Sequence, residues 1–213
     1  MKTMFIDEIT GQVFSKNRIV KPEVIVIASS TGGPKALDVI YSKLPKDFDV
    51  PIVIVQHIIG NITSLLANTP KEKYNLPISV PVNGEQLEKG KIYIAGGGAH
   101  LVASRGIGSN AILKYKKTAT VNSVIPAADV TFESVAKIFS GKNILALVLT
   151  GIGKDGVEGV RKLKETTNCL CICESQSTCT IYGMSRNTIR EGLSDIVLPI
   201  DEIGDVLQMV LTR

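Results

Sequence analysis

Three residue types that together hydrolyse esters and amides stand at matching places in this chain, each just beyond an apolar run. Ser30 lies in the turn Ala28-Ser29-Ser30-Thr31-Gly32-Gly33, after Val24-Ile25-Val26-Ile27. His57 closes the run Pro51-Ile52-Val53-Ile54-Val55-Gln56. Asp155 lies in Thr150-Gly151-Ile152-Gly153-Lys154-Asp155-Gly156, which follows Ile144–Leu149. A serine hydroxyl becomes a useful nucleophile when an imidazole takes its proton, and a carboxylate behind the imidazole orients it and stabilises its cationic form.

The first turn fits a relaxed nucleophile elbow, small-x-Ser-x-Gly, in which small residues make room for a sharp bend beside the serine. The helix that follows would leave the Thr31 N–H free to bind a developing oxyanion. The same turn also suits a phosphate-cradling loop or a plain packed turn. His100, in Gly98-Ala99-His100, is the other of two histidines. His57 is preferred because it ends an apolar run. Gly151–Gly156 also spells G-x-G-x-x-G, with Glu174 near the spacing of a ribose-binding acid, so a dinucleotide site is an alternative reading. Against it, the turn comes late in the chain, and the charge of Asp155 would oppose a pyrophosphate.

Positioning these side chains requires strands that end together. Strand-like runs near 24–28, 52–56, 91–95, 144–149, 169–173 and 195–198 alternate with helical periodicity over Pro34–Leu44, Ile62–Asn68, Ala127–Phe139, Gly156–Glu165 and Asp201–Leu211. That order predicts a doubly wound α/β domain: a mostly parallel sheet with helices on both faces. In such a sheet, residues at carboxyl-terminal strand ends gather in one crevice. Residues 96–125 break the rhythm, and Leu101–Ser104 with Ala111–Tyr115 predicts an added antiparallel hairpin. Residues 1–22 carry no clear element and read as a leader segment, leaving 23–213 as one domain.

The bulk properties narrow the function. A chain of 213 residues, 44% hydrophobic and 21% charged, is ordinary for a globular protein. No apolar run approaches the roughly 20 residues of a membrane span, and the start lacks a signal-peptide core, so a cytoplasmic location is expected. The net charge of +4 is mild, and no dense basic tract with interleaved aromatics suggests nucleic acid. Cys169, Cys171 and Cys173 alternate on one strand face without a metal-ligand spacing, and with Cys179 they read as small buried thiols.

Taken together, the segments resemble the catalytic domain of the CheB chemotaxis receptor methylesterases, in the same linear order from about Glu23 to Pro199. The resemblance rests on Ala28–Gly33, Val55-Gln56-His57, Gly90–Ala95 leading to His100-Leu101, Leu149–Gly156 and Tyr182-Gly183-Met184. It implies Ser30 as nucleophile, His57 as base, Asp155 as orienting acid, and the N–H groups of Thr31 and Ile152 as the oxyanion hole. The implied substrate is a glutamate methyl ester on the cytoplasmic helices of a methyl-accepting chemoreceptor, with receptor glutamine deamidation by the same acyl chemistry. No metal or organic cofactor is implied. A silent adaptor that binds receptor helices, and a nucleotide-binding protein using Gly151–Gly156, are the competing readings.

Several positions depart from the family pattern. Ala28 stands where glycine is usual, Lys154 where a small polar residue precedes the acid, Ile125 where arginine precedes the proline, and Ser185 where proline follows Met184. Near Glu174 and Gln176 the usual amide and acid are exchanged. Family members usually carry a receiver domain in front, and residues 1–22 are too few to form one. The expectation is therefore either a stand-alone esterase or an excised catalytic portion, free of intramolecular phosphorylation control, with a separate receiver protein as a candidate partner.

Overall fold

Alternate side chains of one strand enter two separate cores: Val24, Val26 and Ala28 on one side, Ile25 and Ile27 on the other. A strand buried on both faces has no polar face to display, which is why it reads as a continuous apolar run. The computed structural model describes residues 4–15, 19–57 and 63–212. In chain order the elements are β1 (Met4–Ile6), β2 (Val13–Ser15), β3 (Val24–Ser29), α1 (Gly33–Lys43), β4 (Ile52–Gln56), α2 (Thr63–Tyr74), β5 (Ile78–Ser79), β6 (Glu85–Gln86) and β7 (Ile92–Ile94). There follow β8 (His100–Arg105), β9 (Ala111–Lys116), α3 (Ala128–Ile138), β10 (Asn143–Val148), α4 (Val157–Thr166), β11 (Asn168–Glu174), α5 (Met184–Arg190), β12 (Ile196–Leu198) and α6 (Ile200–Leu211).

Seven strands form one sheet in the order β12-β11-β10-β3-β4-β7-β5, and every neighbouring pair is parallel. Side chains of α1, α2 and α6 pack into the core on one face, and those of α3, α4 and α5 into the core on the other. The doubly wound α/β fold is thus as expected. The hairpin β8–β9 is antiparallel and joins β6 in a three-stranded sheet of its own. It is sewn to α3 by Thr131 Oγ1 donating to the Leu101 carbonyl at 2.7 Å and by the Ala103 N–H donating to Ser134 Oγ at 2.8 Å.

Three features differ from the expected pattern. Residues 1–22 are not free of structure in their described part: β1 and β2 form a hairpin, Phe5 is fully buried, and Asp7 Oδ2 accepts the Val197 N–H of the edge strand β12 at 2.6 Å. Strands of three residues are too short for an alternating pattern to register. The short β5 and the seven-residue α5 escaped for the same reason. Helix α2 runs on to Tyr74, past Pro70 and beyond the periodicity that ends at Asn68. The start of that helix at Ile62 lies outside the described residues. None of the described helices is long and apolar enough to cross a membrane.

Candidate active site

The sheet order places a switch point between β3 and β10. From β3 the chain moves to β4, on to β5 at the sheet edge and back to β7 between them, then returns to β10 on the opposite side of β3. Helix α1 leaves β3 toward one face and α4 leaves β10 toward the other, so a crevice opens where their first turns part. Ser30 follows β3, the strand between β4, which delivers His57, and β10, whose following loop delivers Asp155.

The turn after β3 is held from several directions. Ser29 is fully buried and its Oγ donates to Gln56 Oε1 at 2.7 Å. Gln56 Nε2 in turn donates to the carbonyls of Ser30 at 2.9 Å and His57 at 2.8 Å. Of the two adjacent serines, Ser29 is therefore spent on structure, while Ser30 lines the cleft. Gly32 has φ +86°, and a Cβ there would collide with Thr180 and Thr150, so only glycine fits this bend. Helix α1 starts one residue later with Pro34 in its first turn.

His57 Nε2 and Asp155 Oδ2 are 2.7 Å apart, and the Asp155 side chain is 2% exposed. Burial pushes the Asp155 carboxyl pKa up, but hydrogen bonds from His57 and from the Ala128 and Asp129 amides outweigh it and leave the pKa below the ordinary value. Those amides, at 2.5 Å to Oδ2 and 3.1 Å to Oδ1, are the first free donors of helix α3, so Asp155 also caps that helix. An ionised Asp155 accepts the hydrogen of His57 Nε2, which leaves Nδ1 with its lone pair free to act as a base.

Asn122 and Asp129, which the sequence reading left without a role, complete the surroundings. Asn122 Nδ2 donates to Asp155 Oδ1 at 3.0 Å and to Asp129 Oδ2 at 2.7 Å. Asp129 Oδ1 accepts the N–H groups of Gly156 and Gly159 at 2.9 and 2.8 Å, capping α4. Each carboxylate thus caps the helix that begins beside the other. Burial, with the Asp155 charge as a further cause, pushes the Asp129 pKa up. A signal for Asn122 existed in its place before Pro126 and the start of α3, but its partners lie 7 and 33 residues away.

The remaining candidates sort cleanly. Ser30, Thr31, His57, Val124 and Ile125 line one cleft of about 630 Å³. The N–H groups of Thr31 and Ile152 have no acceptor among the described residues. His100 is fully buried, accepting the Ala127 N–H on Nδ1 at 3.1 Å and meeting the Ala119 carbonyl from Nε2 at 3.0 Å. It is a structural histidine. Glu174 is 1% exposed, its oxygens taken by the Thr150 N–H at 2.8 Å and Thr178 Oγ1 at 3.0 Å, so it does not face a ribose. Lys154 is exposed and forms no ion pair with Asp155. The four cysteines are free thiols, with Cys171 and Cys173 buried toward α4.

Comparisons with known proteins agree on one kind of relative. A family model described as CheB methylesterase matches residues 25–207. A protein-glutamate methylesterase/protein-glutamine glutaminase of Clostridium acetobutylicum is 39% identical over 183 residues, 86% of this chain and 51% of that protein. The protein of that name from Thermotoga maritima is 38% identical over 197 residues, 91% of this chain and 56% of its own length. The crystal structure of the Thermotoga maritima CheB methylesterase catalytic domain matches with a TM-score of 0.83 at 38% identity, covering 89% of this chain and 98% of that one. The chain spans about half the length of the curated relatives it matches.

Proposed function

The chain belongs to the CheB methylesterase family, and from that premise we propose that it is a serine hydrolase acting on glutamate methyl esters of chemoreceptor cytoplasmic helices. The observation that carries this reading is the His57–Asp155 pair, joined at 2.7 Å across the end of the strand that delivers Ser30. In this reading residues 23–213 are the catalytic domain and the work is done in the cytoplasm.

His57 Nδ1 takes the Ser30 hydroxyl proton as Oγ attacks the ester carbonyl. The N–H groups of Thr31 and Ile152 receive the negative charge that develops on the carbonyl oxygen, each such donor contributing about 3 kcal/mol. The proton passes from His57 to the departing methoxide, and methanol leaves. Water, activated by the same imidazole, then attacks the acyl-enzyme, releasing the receptor glutamate and restoring Ser30. Asp155 stays ionised throughout and stabilises the imidazolium. A receptor glutamine would pass through the same acyl-enzyme with ammonia as the leaving group. None of these steps requires a metal or organic cofactor.

The test is methanol release from a methylated receptor cytoplasmic fragment, with the wild-type chain beside Ser30→Ala. Release that disappears in the folded variant supports the esterase and its nucleophile. Receptor binding without release from the wild-type chain would overturn it in favour of an adaptor.

A further inference from the structure

We propose that Thr150 is the positioning residue that fixes Ser30 and the two free amides beside it in register. The proposal rests on the esterase reading above. Thr150 is 1% exposed, yet its polar atoms end on three different segments. Its N–H donates to Glu174 Oε2 at 2.8 Å, and its carbonyl accepts the Ser30 N–H at 3.0 Å. Its hydroxyl accepts the Ile181 N–H at 2.9 Å and has two carbonyls within reach, Thr31 at 2.9 Å and Ile181 at 3.3 Å. A hydroxyl has one hydrogen to give. The shorter contact assigns it to Thr31.

Ser30 is therefore gripped on both sides by one residue. The Thr150 backbone holds the amide entering Ser30, and the Thr150 side chain holds the carbonyl leaving Thr31. The peptide between those grips carries the free Thr31 N–H. The other free amide, Ile152, lies two residues beyond Thr150, and the intervening Gly151 is pinned in turn. Its N–H donates to the Ile181 carbonyl at 2.9 Å, and its carbonyl accepts the Gly183 and Met184 N–H groups at 3.1 and 2.9 Å. Thus residues 181–184 brace the Ile152 side while the Thr150 hydroxyl ties that brace to the Thr31 side.

The glycines at this seam confirm how closely the pieces meet. A Cβ on Gly151 would lie 2.7 Å from Ser30 Cβ and would collide with the Met184 sulfur, and one on Gly32 would lie 2.9 Å from Thr150 Oγ1. Donors for a transient charge act only when pre-set. A displacement of about 1 Å costs about 10²-fold in rate.

Valine copies the shape of threonine and removes the hydroxyl, leaving the Thr31 carbonyl and the Ile181 N–H without their partner. For Thr150→Val we expect kcat to fall about 10- to 100-fold with KM within about twofold, since an interaction used in the transition state is lost. Thr150→Ser, which restores the hydroxyl, should recover kcat to within about threefold of wild type. The rate at which a fluorophosphonate labels Ser30 should drop with kcat, because that reaction develops charge on the same kind of oxygen. A folded Thr150→Val chain with unchanged kcat, or a loss confined to KM or melting temperature, would overturn the proposal. So would failure of both Thr150→Val and Thr150→Ala to fold, since the role would then be structural. A wild-type chain that neither releases methanol nor is labelled would instead overturn the esterase reading itself.

Discussion

Asp155 has two roles that a single substitution separates. Its carboxylate is surrounded by donors only: His57, the Ala128 and Asp129 amides and Asn122 Nδ2. An asparagine would set an NH₂ group against one of these donors, and its amide oxygen would no longer fix His57 with the hydrogen on Nε2. In triads of this design such a change costs about 10⁴-fold in kcat. The same change weakens the cap of α3, an effect of about 1 kcal/mol. For Asp155→Asn the expected outcome is therefore near-complete loss of methanol release in a chain that still folds, with a modestly lower melting temperature. Activity within tenfold of wild type would remove Asp155 from the mechanism.

At the scale of elements, Glu174 ends β11 inside the wall of the site and stabilises the structure less when charged than when neutral. Burial pushes its pKa above the ordinary 4.5, only partly offset by the Thr150 amide and Thr178 hydroxyl. A carboxyl whose folded pKa is raised contributes stability that is present below its unfolded value and lost as pH rises through the folded one. Glu174→Gln, neutral at every pH, escapes that loss. We expect it to melt above wild type at pH 7. The gap should close as the pH is lowered toward 4.5, and parallel melting curves across that range would refute the account.

The same scale explains what could be read from the sequence. Ser30, His57 and Asp155 were legible because each follows an apolar run, and strand ends at a switch point must converge. The apolar runs themselves were legible because every residue in them is covered on both faces. Asn122, Asp129 and Thr150 were not, since the side-chain partners that give them meaning lie as far as 119 residues away and form no local pattern. The antiparallel hairpin β8–β9 was legible, while the hairpin β1–β2 and the two-residue β6 were missed because short strands take their pairing from tertiary contacts.

For the molecule as a whole, the parallel sheet leaves an edge at β12, and β1–β2 is what covers it. Asp7 makes the join: Oδ1 accepts the Ile9 and Thr10 amides, closing a turn, while Oδ2 accepts the Val197 N–H, and the Glu8 N–H returns a bond to the Val197 carbonyl at 3.0 Å. An unpaired edge is the part of a sheet most open to unwanted pairing. Strands β11 and β10 separate β12 from β3 and the cleft lined by Ser30 and His57, so this join and the proposed chemistry are distinct loads on the fold. Burial raises the Asp7 pKa, but the Thr10 and Val197 amides and the other donors outweigh it and set it below the ordinary 3.8. A depressed carboxyl contributes stability above its unfolded pKa that is lost as pH falls through the folded one. Asp7→Ala should therefore cost about 1–2 kcal/mol at pH 7, a melting-temperature drop of about 2–8 °C, and the difference from wild type should shrink below pH 3.8. Fluorophosphonate labelling of Ser30 in the folded variant should keep its wild-type rate. A variant that keeps its melting temperature would show that β1–β2 is not held by Asp7, and one that loses labelling while folded would show that the edge and the site are coupled.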